Sequence, residues 1–233
     1  MPRVLFGVTV PVTAQAFLRD QVTELAERGW DVHLVTSPDD GFELLTDLPG
    51  VTLHAIPMRR PPAPVDDVRS LARWRRLIRQ LRPDMVVVST PKAGLLGMIA
   101  ARMARVPVRL YHIRGLRAEG LSGPAARISL ASERLAIACS TDVLVDSPSL
   151  LRTLRERGLL RSDQGVVLGA GSCCGVDTGR FRPPTAAERE QDVRADGFRG
   201  AVRAGDRDRH AVGVRRQADA LRAGADVDAL GFD

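Results

Sequence analysis

Asp84-Met85-Val86-Val87-Val88-Ser89 is a short, continuously apolar run, and Thr90-Pro91-Lys92-Ala93-Gly94-Leu95-Leu96-Gly97 follows it directly. A run of this length without polar alternation suits a parallel strand covered on both faces, with Pro91 at the first turn of a helix. The same strand-then-helix order recurs in both directions. Upstream lie strand signals at Arg3–Thr9, Asp31–Thr36 and Val51–Ile56, with a helix predicted over Ala14–Arg28 and stopped by Gly29. A proline-rich turn, Met58-Arg59-Arg60-Pro61-Pro62-Ala63-Pro64, precedes a helix over Asp66–Leu81 that carries Leu71, Trp74, Leu77, Ile78 and Leu81 on one face. Downstream, helices are predicted over Lys92–Arg105, Ala125–Ala138 and Ser147–Arg157, the last capped by Ser147 and ended by Gly158. Strands at Val108–His112, Asp142–Asp146 and Gln164–Leu168 alternate with them. The expectation for residues 3–182 is an α/β fold, a Rossmann-like parallel sheet of about six or seven strands with helices on both faces. Such sheets take their ligands at the carboxyl ends of the strands.

Composition narrows the class. The apolar share of 44% supports a buried core and excludes a wholly disordered chain. No apolar run is long enough to span a bilayer, since Gly94–Ala101 is interrupted by Arg102. The start, Met1-Pro2-Arg3-Val4-Leu5-Phe6, has no secretory signal pattern, and Cys139, Cys173 and Cys174 form neither a disulfide framework nor a zinc spacing. A cytoplasmic protein with no metal is expected. The net charge of +6 comes almost wholly from arginine, because Lys92 is the only lysine and asparagine is absent. That bias reads as a GC-rich coding sequence. With aromatics at 4% and no basic tract interleaved with stacking residues, nucleic acid is not expected as a partner. A general attraction to anionic groups, membrane headgroups included, fits the charge, so peripheral contact with the inner face of the plasma membrane is retained as an expectation.

Three clusters carry candidate chemistry, and each has an ordinary structural alternative. At the helix start after Ser89, backbone amides with Thr90 and Lys92 suit an anion such as phosphate, while a plain helix start with a solvated lysine accounts for the same residues. Tyr111-His112-Ile113-Arg114-Gly115-Leu116-Arg117-Ala118-Glu119-Gly120 lies just past a strand and offers an imidazole, two guanidiniums and a carboxylate. His112 is a candidate base or polar substrate contact, and Arg114 and Arg117 suit phosphate oxygens. A polar loop with internal salt bridges is the alternative. Leu168-Gly169-Ala170-Gly171-Ser172-Cys173-Cys174-Gly175-Val176-Asp177 is a glycine-rich turn without the dinucleotide-binding spacing. Arg59 and Arg60 suit an anionic acceptor, although a solvated surface pair is the ordinary reading.

Together the segments STPKAGLLG (89–97), YHIRGLRAE (111–119) and GAGSCCGVDTGRFRP (169–183) resemble, in order and spacing, segments of family-4-like bacterial glycosyltransferases. Glu133-Arg134 and Asp146-Ser147-Pro148-Ser149-Leu150 match further positions of that family, and the likeness covers Arg3 to Pro184. The resemblance implies a GT-B fold of two Rossmann-like domains facing a cleft, with no metal required. It implies that residues 1–184 form the acceptor-side domain, and that a nucleotide sugar is the co-substrate for transfer to a lipid-linked or polysaccharide acceptor. By the same resemblance His112 is the catalytic candidate. Thr90, Lys92, Arg114, Arg117, Glu119 and Arg59 become substrate-binding candidates, and Gly171, Ser172, Gly175 and Asp177 lie on the donor side or hinge. The chain departs from the family at Ala170, in place of serine, and at Cys174, in place of asparagine, where a polar hinge contact is weakened.

Residues 185–233 read as a linker and an aberrant tail. From Gln191 onward Arg, Asp, Ala, Gly and Val dominate, and no glutamate follows Glu190, so the family's Glu-x7-Glu element is missing. His210–Val214 resembles the first strand of the family's second domain, and Arg215–Asp219 breaks the likeness. Codons available to those five residues, read one base on, permit Val-Gly-Arg-Leu-Thr. A one-base slip near Arg215 is therefore expected, and with it a truncated chain that does not transfer sugar alone. Two other readings stay open: a non-catalytic module binding a glycan or a partner, and a GT-B protein of the nucleotide-sugar epimerase kind.

Overall fold

The computed structural model describes residues 1–172. Gly175, Asp177, the linker and tail, and the site of the expected frame slip lie outside the described residues. Six parallel strands form one sheet: β1 (Arg3–Gly7), β2 (Asp31–Thr36), β3 (Val51–Ala55), β4 (Met85–Ser89), β5 (Val108–Ile113) and β6 (Asp142–Val145). Their order is β3-β2-β1-β4-β5-β6, the doubly wound arrangement whose connections reverse direction between β1 and β4. Six helices join them: α1 (Pro11–Phe17), α2 (Arg19–Glu27), α3 (Pro64–Leu81), α4 (Pro91–Met103), α5 (Gly123–Cys139) and α6 (Pro148–Glu156).

Alternation along the strands sorts the core into two layers. Leu5, Val35, Val86, Val88, Tyr111, Ile113, Val143 and Val145 face a cluster that includes Trp74 and Ile78 of α3, Leu96 and Met98 of α4, Ile137 of α5 and Leu154 of α6. Val4, Phe6, Val32, Leu34 and Val87 face the opposite layer, with Ala14 of α1, Leu18 between the two helices and Val22 of α2. The central strand β4 is thus covered twice, which is why its sequence shows no alternation. Close approach of α4 depends on glycine. A Cβ at Gly97 would stand 2.8 Å from Val88 Cγ1, and one at Gly94 would stand 2.4 Å from Tyr111 Cε2. Trp74, fully buried, occupies the space above Gly7, where a Cβ would meet Trp74 Cη2 at 2.4 Å.

Two expectations change in detail. The helix predicted over Ala14–Arg28 is two helices, broken at Leu18, whose φ of −114° stays right-handed but lies far from the ordinary helical value of about −63°. Leu18 is buried with Ala14 and Val22 in one core layer, and the neighbouring Phe17 is partly exposed. Gln164–Leu168 is not a seventh strand but one isolated bridge, Leu144 to Val166. Glycines at positive φ on either side, Gly165 (81°) and Gly169 (57°), turn the chain away before a ladder can extend. The bridge still closes part of the β6 edge, with Val166 N donating to Val143 O at 3.0 Å and Val145 N to Val166 O at 2.9 Å.

At the far side of the sheet, His33 Nδ1 lies 3.0 Å from His54 Nε2, while His33 Nε2 lies 3.3 Å from Asp31 Oδ1. Asp31 in turn accepts from Arg3 Nε at 2.5 Å. Burial holds both imidazoles below the ordinary 6.5, and for His54 the neighbouring His33 pushes the same way. The folded state therefore favours the neutral rings, and stability is full above pH 6.5 and is lost as pH falls through the lowered values. The melting temperature is expected to drop between about pH 7.5 and about pH 5. Glu133 acts in the opposite sense, since burial raises its carboxyl, so thermal melts in a Glu133→Gln background isolate the histidines. A flat profile in that background would refute the assignment.

Candidate active site

His112 occupies the last turn of pleat in β5 and is almost wholly buried. Its register partner on the edge strand β6 is Leu144, so Asp146, two residues on and just past the end of β6, arrives beside the ring on the same face. His112 Nε2 lies 2.5 Å from Asp146 Oδ1. Burial lowers the imidazole below its ordinary 6.5. Its bond to Asp146 and that residue's charge push it up, and nearby Arg114 pushes it down. The ring is neutral at pH 7. Protonated on Nε2 towards the carboxylate, it keeps Nδ1 as an acceptor for a substrate proton.

A cavity of about 350 Å³ opens here, at the carboxyl edge of the sheet. Leu144, His112 and Asp146 form one wall, Gln15, Phe17 and Asp20 of the broken α1–α2 pair form another, and Gly171 with Ser172 close it. Arg114 lies over the Phe17 ring at 4.8 Å from its centre, which fixes the guanidinium at the cavity's side by cation–π attraction. Gly171 is required where it stands. Its φ is 92°, and a Cβ would meet Asp146 O at 2.6 Å. Ser172 N donates to that same Asp146 carbonyl at 2.7 Å.

The predicted site residues fall into two groups. His112, Gly171 and Ser172 meet at the cavity, with Arg114 at its side. Lys92 does not join them. Its ammonium contacts both carboxylate oxygens of Asp67 at 2.7 and 2.9 Å and donates to Pro61 O at 2.7 Å, a salt bridge that braces the proline turn, and it is not among the residues lining this cavity. Arg59 is exposed and lies 3.4 Å from Asp66, and Arg117 donates to Arg60 O at 3.1 Å. Glu119 is exposed on the short 3₁₀ turn Arg117–Gly120. Thr90 stands at φ 76°, ψ 141°, a costly conformation for a β-branched residue. It is held there by Thr9, whose N donates to Thr90 Oγ1 at 3.0 Å and whose hydroxyl lies 2.7 Å from it. Phe17 and Gln15 are not site candidates in the sequence, and Asp146 enters there only as part of the family-matched segment 146–150. The signal for Asp146 was its place as the carboxylate ending the strand beside His112.

Residues 13–171 match the family model described as glycosyl transferase 4-like domain. The chain belongs to this family. Among curated relatives, the capsular polysaccharide biosynthesis glycosyltransferase CapM of Staphylococcus aureus is 36% identical over 165 residues, covering 71% of this chain and 43% of CapM. The UDP-N-acetylglucosamine--N-acetylmuramyl-(pentapeptide) pyrophosphoryl-undecaprenol N-acetylglucosamine transferase of Shewanella amazonensis is 29% identical over 122 residues, covering 47% of this chain and 34% of that enzyme. Anabaena HepE, solved with UDP and glucose, shares the fold at a TM-score of 0.60 and 17% identity, covering 82% of this chain and 50% of HepE. The chain thus spans half or less of the length of these relatives. Among the described residues no three His, Cys, Asp or Glu side chains gather into a group that could hold a metal ion. No helix among them is long and apolar enough to cross a membrane.

Proposed function

We propose that residues 1–184 form the acceptor-side domain of a glycosyltransferase, one that moves a sugar from a nucleotide-sugar donor to a lipid-linked or polysaccharide acceptor. The observation that carries this reading is the His112–Asp146 pair, 2.5 Å apart, on a cavity at the carboxyl edge of a family-typical sheet. Transfer needs an acceptor hydroxyl to lose its proton as its oxygen bonds to the anomeric carbon and the nucleoside diphosphate leaves. A neutral, buried imidazole next to that hydroxyl takes the proton, and the carboxylate stabilises the imidazolium that forms. Arg114, held against Phe17, is assigned to an anionic or polar acceptor group. Arg59, Arg117, Glu119, Thr90 and Lys92, which do not line this cavity, are assigned to the acceptor beyond it. Gly171, Ser172, Gly175 and Asp177 are assigned to the hinge towards the donor. The capsular polysaccharide role of CapM and the undecaprenol-linked acceptor of the Shewanella enzyme support the acceptor class.

The test uses nucleotide-sugar consumption with polyprenyl-diphosphate glycan acceptors. The chain of 233 residues is compared with one continued in the frame that reads Val-Gly-Arg-Leu-Thr from about residue 215. Activity confined to the continued chain supports the acceptor-side reading, whereas turnover by the shorter chain defeats the expectation that it is inactive alone. In the active form, the acid limb of the pH–rate profile is expected below 6.5, because burial lowers His112. Asp146→Asn removes two influences that raise it, so the limb moves to still lower pH and the rate falls about ten-fold or more. An unmoved limb would remove Asp146 from this role.

A further inference from the structure

Phe17 is an aromatic side chain that the core does not use. Phe6, Trp74 and Tyr111 bury their rings in the layers of the sheet, whereas Phe17 is 38% exposed at the end of α1. Leu44, 62% exposed on the 3₁₀ turn Glu43–Leu45, is not among the residues lining the cavity, but Phe17 is. Its ring is also fixed. The Arg114 guanidinium, from the segment after β5, lies over it at 4.8 Å from the centre, so the orientation of the ring is set before a ligand arrives. Groups that pair with hydroxyls share the cavity with it. Gln15 offers an amide, held in place where its Nε2 donates to Gly41 O at 3.0 Å, and Asp20 offers a carboxylate that only accepts. His112 completes the set with Nδ1. A flat apolar face bordered by polar groups is complementary to a pyranose ring, which carries C–H groups on its faces and hydroxyls around its edge. The volume of about 350 Å³ is at the small end for ligand cavities, room for one such ring rather than a chain of them.

We propose that Phe17 is the stacking platform for the terminal sugar of the acceptor: one C–H face of the ring lies on the phenyl group, edge hydroxyls reach Gln15 and Asp20, and the hydroxyl that reacts is presented to His112. The proposal rests on the transfer reading above and adds a rule of specificity to it. What the cavity recognises is a single ring with a continuous apolar face, and whatever is attached beyond that ring is not read there. Discrimination comes from shape. An acyclic polyol with the same hydroxyls has no face to bury against the phenyl group, and a ring with an axial hydroxyl on the stacked face stands off it. Arg114 is a positioning residue for this contact, acting through the ring it covers.

The experiment is ligand-observed saturation-transfer NMR of the whole chain with the methyl glycosides of glucose and N-acetylglucosamine, and with sorbitol and uridine beside them. It needs neither donor nor turnover. Saturation concentrated on the C–H protons of one ring face is expected for the glycosides. Phe17→Ala should weaken their binding about ten-fold, the loss of one buried ring face. Phe17→Tyr keeps the flat face and should stay within about three-fold of the parent, while Phe17→Leu, apolar but not flat, should fall with the alanine variant. Leu44→Ala should leave binding within about two-fold, as surface changes do. Melting curves establish that each variant folds. Absent glycoside binding, sorbitol or uridine binding as tightly as the glycosides, or leucine serving as well as phenylalanine would each overturn the proposal. The two readings fail separately. In the continued chain, full transfer by Phe17→Ala with an unchanged acceptor KM sinks the platform and leaves the function. Glycoside stacking on Phe17 without any transfer by the continued chain sinks the function and leaves the sugar platform standing.

Discussion

In the active enzyme, His112→Ala lowers transfer about 100-fold or more, the contribution expected of a positioned general base. The reasoning is geometric first: the ring lines the cavity and is tied to Asp146 at 2.5 Å. Its electrostatics agree, because burial keeps the imidazole neutral at the pH where a hydroxyl must be deprotonated. The loss should fall on kcat with little change in KM, and the variant should lack the acid limb expected of the parent, which the lowered His112 would set. Steady-state kinetics against pH, with the melting temperature as a check on folding, decide it. An unchanged kcat would make His112 a structural histidine that merely satisfies Asp146.

The largest stability effect is expected at Gly94. An added methyl group in Gly94→Ala would stand 2.4 Å from Cε2, 2.8 Å from Cζ and 2.9 Å from the hydroxyl of Tyr111. Tyr111 is fully buried and cannot swing out, and its hydroxyl donates to the buried Glu133 carboxylate at 2.7 Å. The helix must lift from the sheet or the Tyr111–Glu133 bond must break. Overpacking of this kind costs about 1–3 kcal/mol, and a strained buried bond adds about 1 kcal/mol. For a domain of this size the melting temperature should fall by about 5–10 °C. Glycine-to-alanine inside a helix usually stabilises by propensity, so a melting temperature that rises would show that α4 has room to move and that the contact is soft.

The sheet was legible because its chemistry is local. Val86, Val87 and Val88 announce burial on both faces, and Pro91 marks the helix that follows. What escaped the sequence depends on distant partners. The break at Leu18 has no glycine or proline to announce it. Lys92 looked like a free cation in an arginine-rich chain, yet the Asp67 carboxylate that holds it lies 25 positions away on another helix. Asp146 meets His112 across 34 positions, through the pairing of β5 with β6, and nothing in either segment alone reveals it. Gln164–Leu168 has the apolar character of a strand, but Gly165 and Gly169 at positive φ allow only one bridge.

The edge position of β6 ties the reactivity of His112 to local unfolding. The strand has four residues and pairs fully on one side only, with β5. On its other side Val166 supplies two hydrogen bonds, and Ser172 N secures the Asp146 carbonyl just beyond. An edge held by so few bonds opens at a free energy below that of global unfolding. Each opening carries the carboxylate away from the imidazole, so the fraction of molecules with a competent base equals the fraction with a closed edge. Amide exchange at Val145, Asp146 and Ser172 should then track one another and speed up together when Val166→Pro removes its donor to Val143. Turnover should fall in the same proportion as the closed population, without any change at the cavity itself.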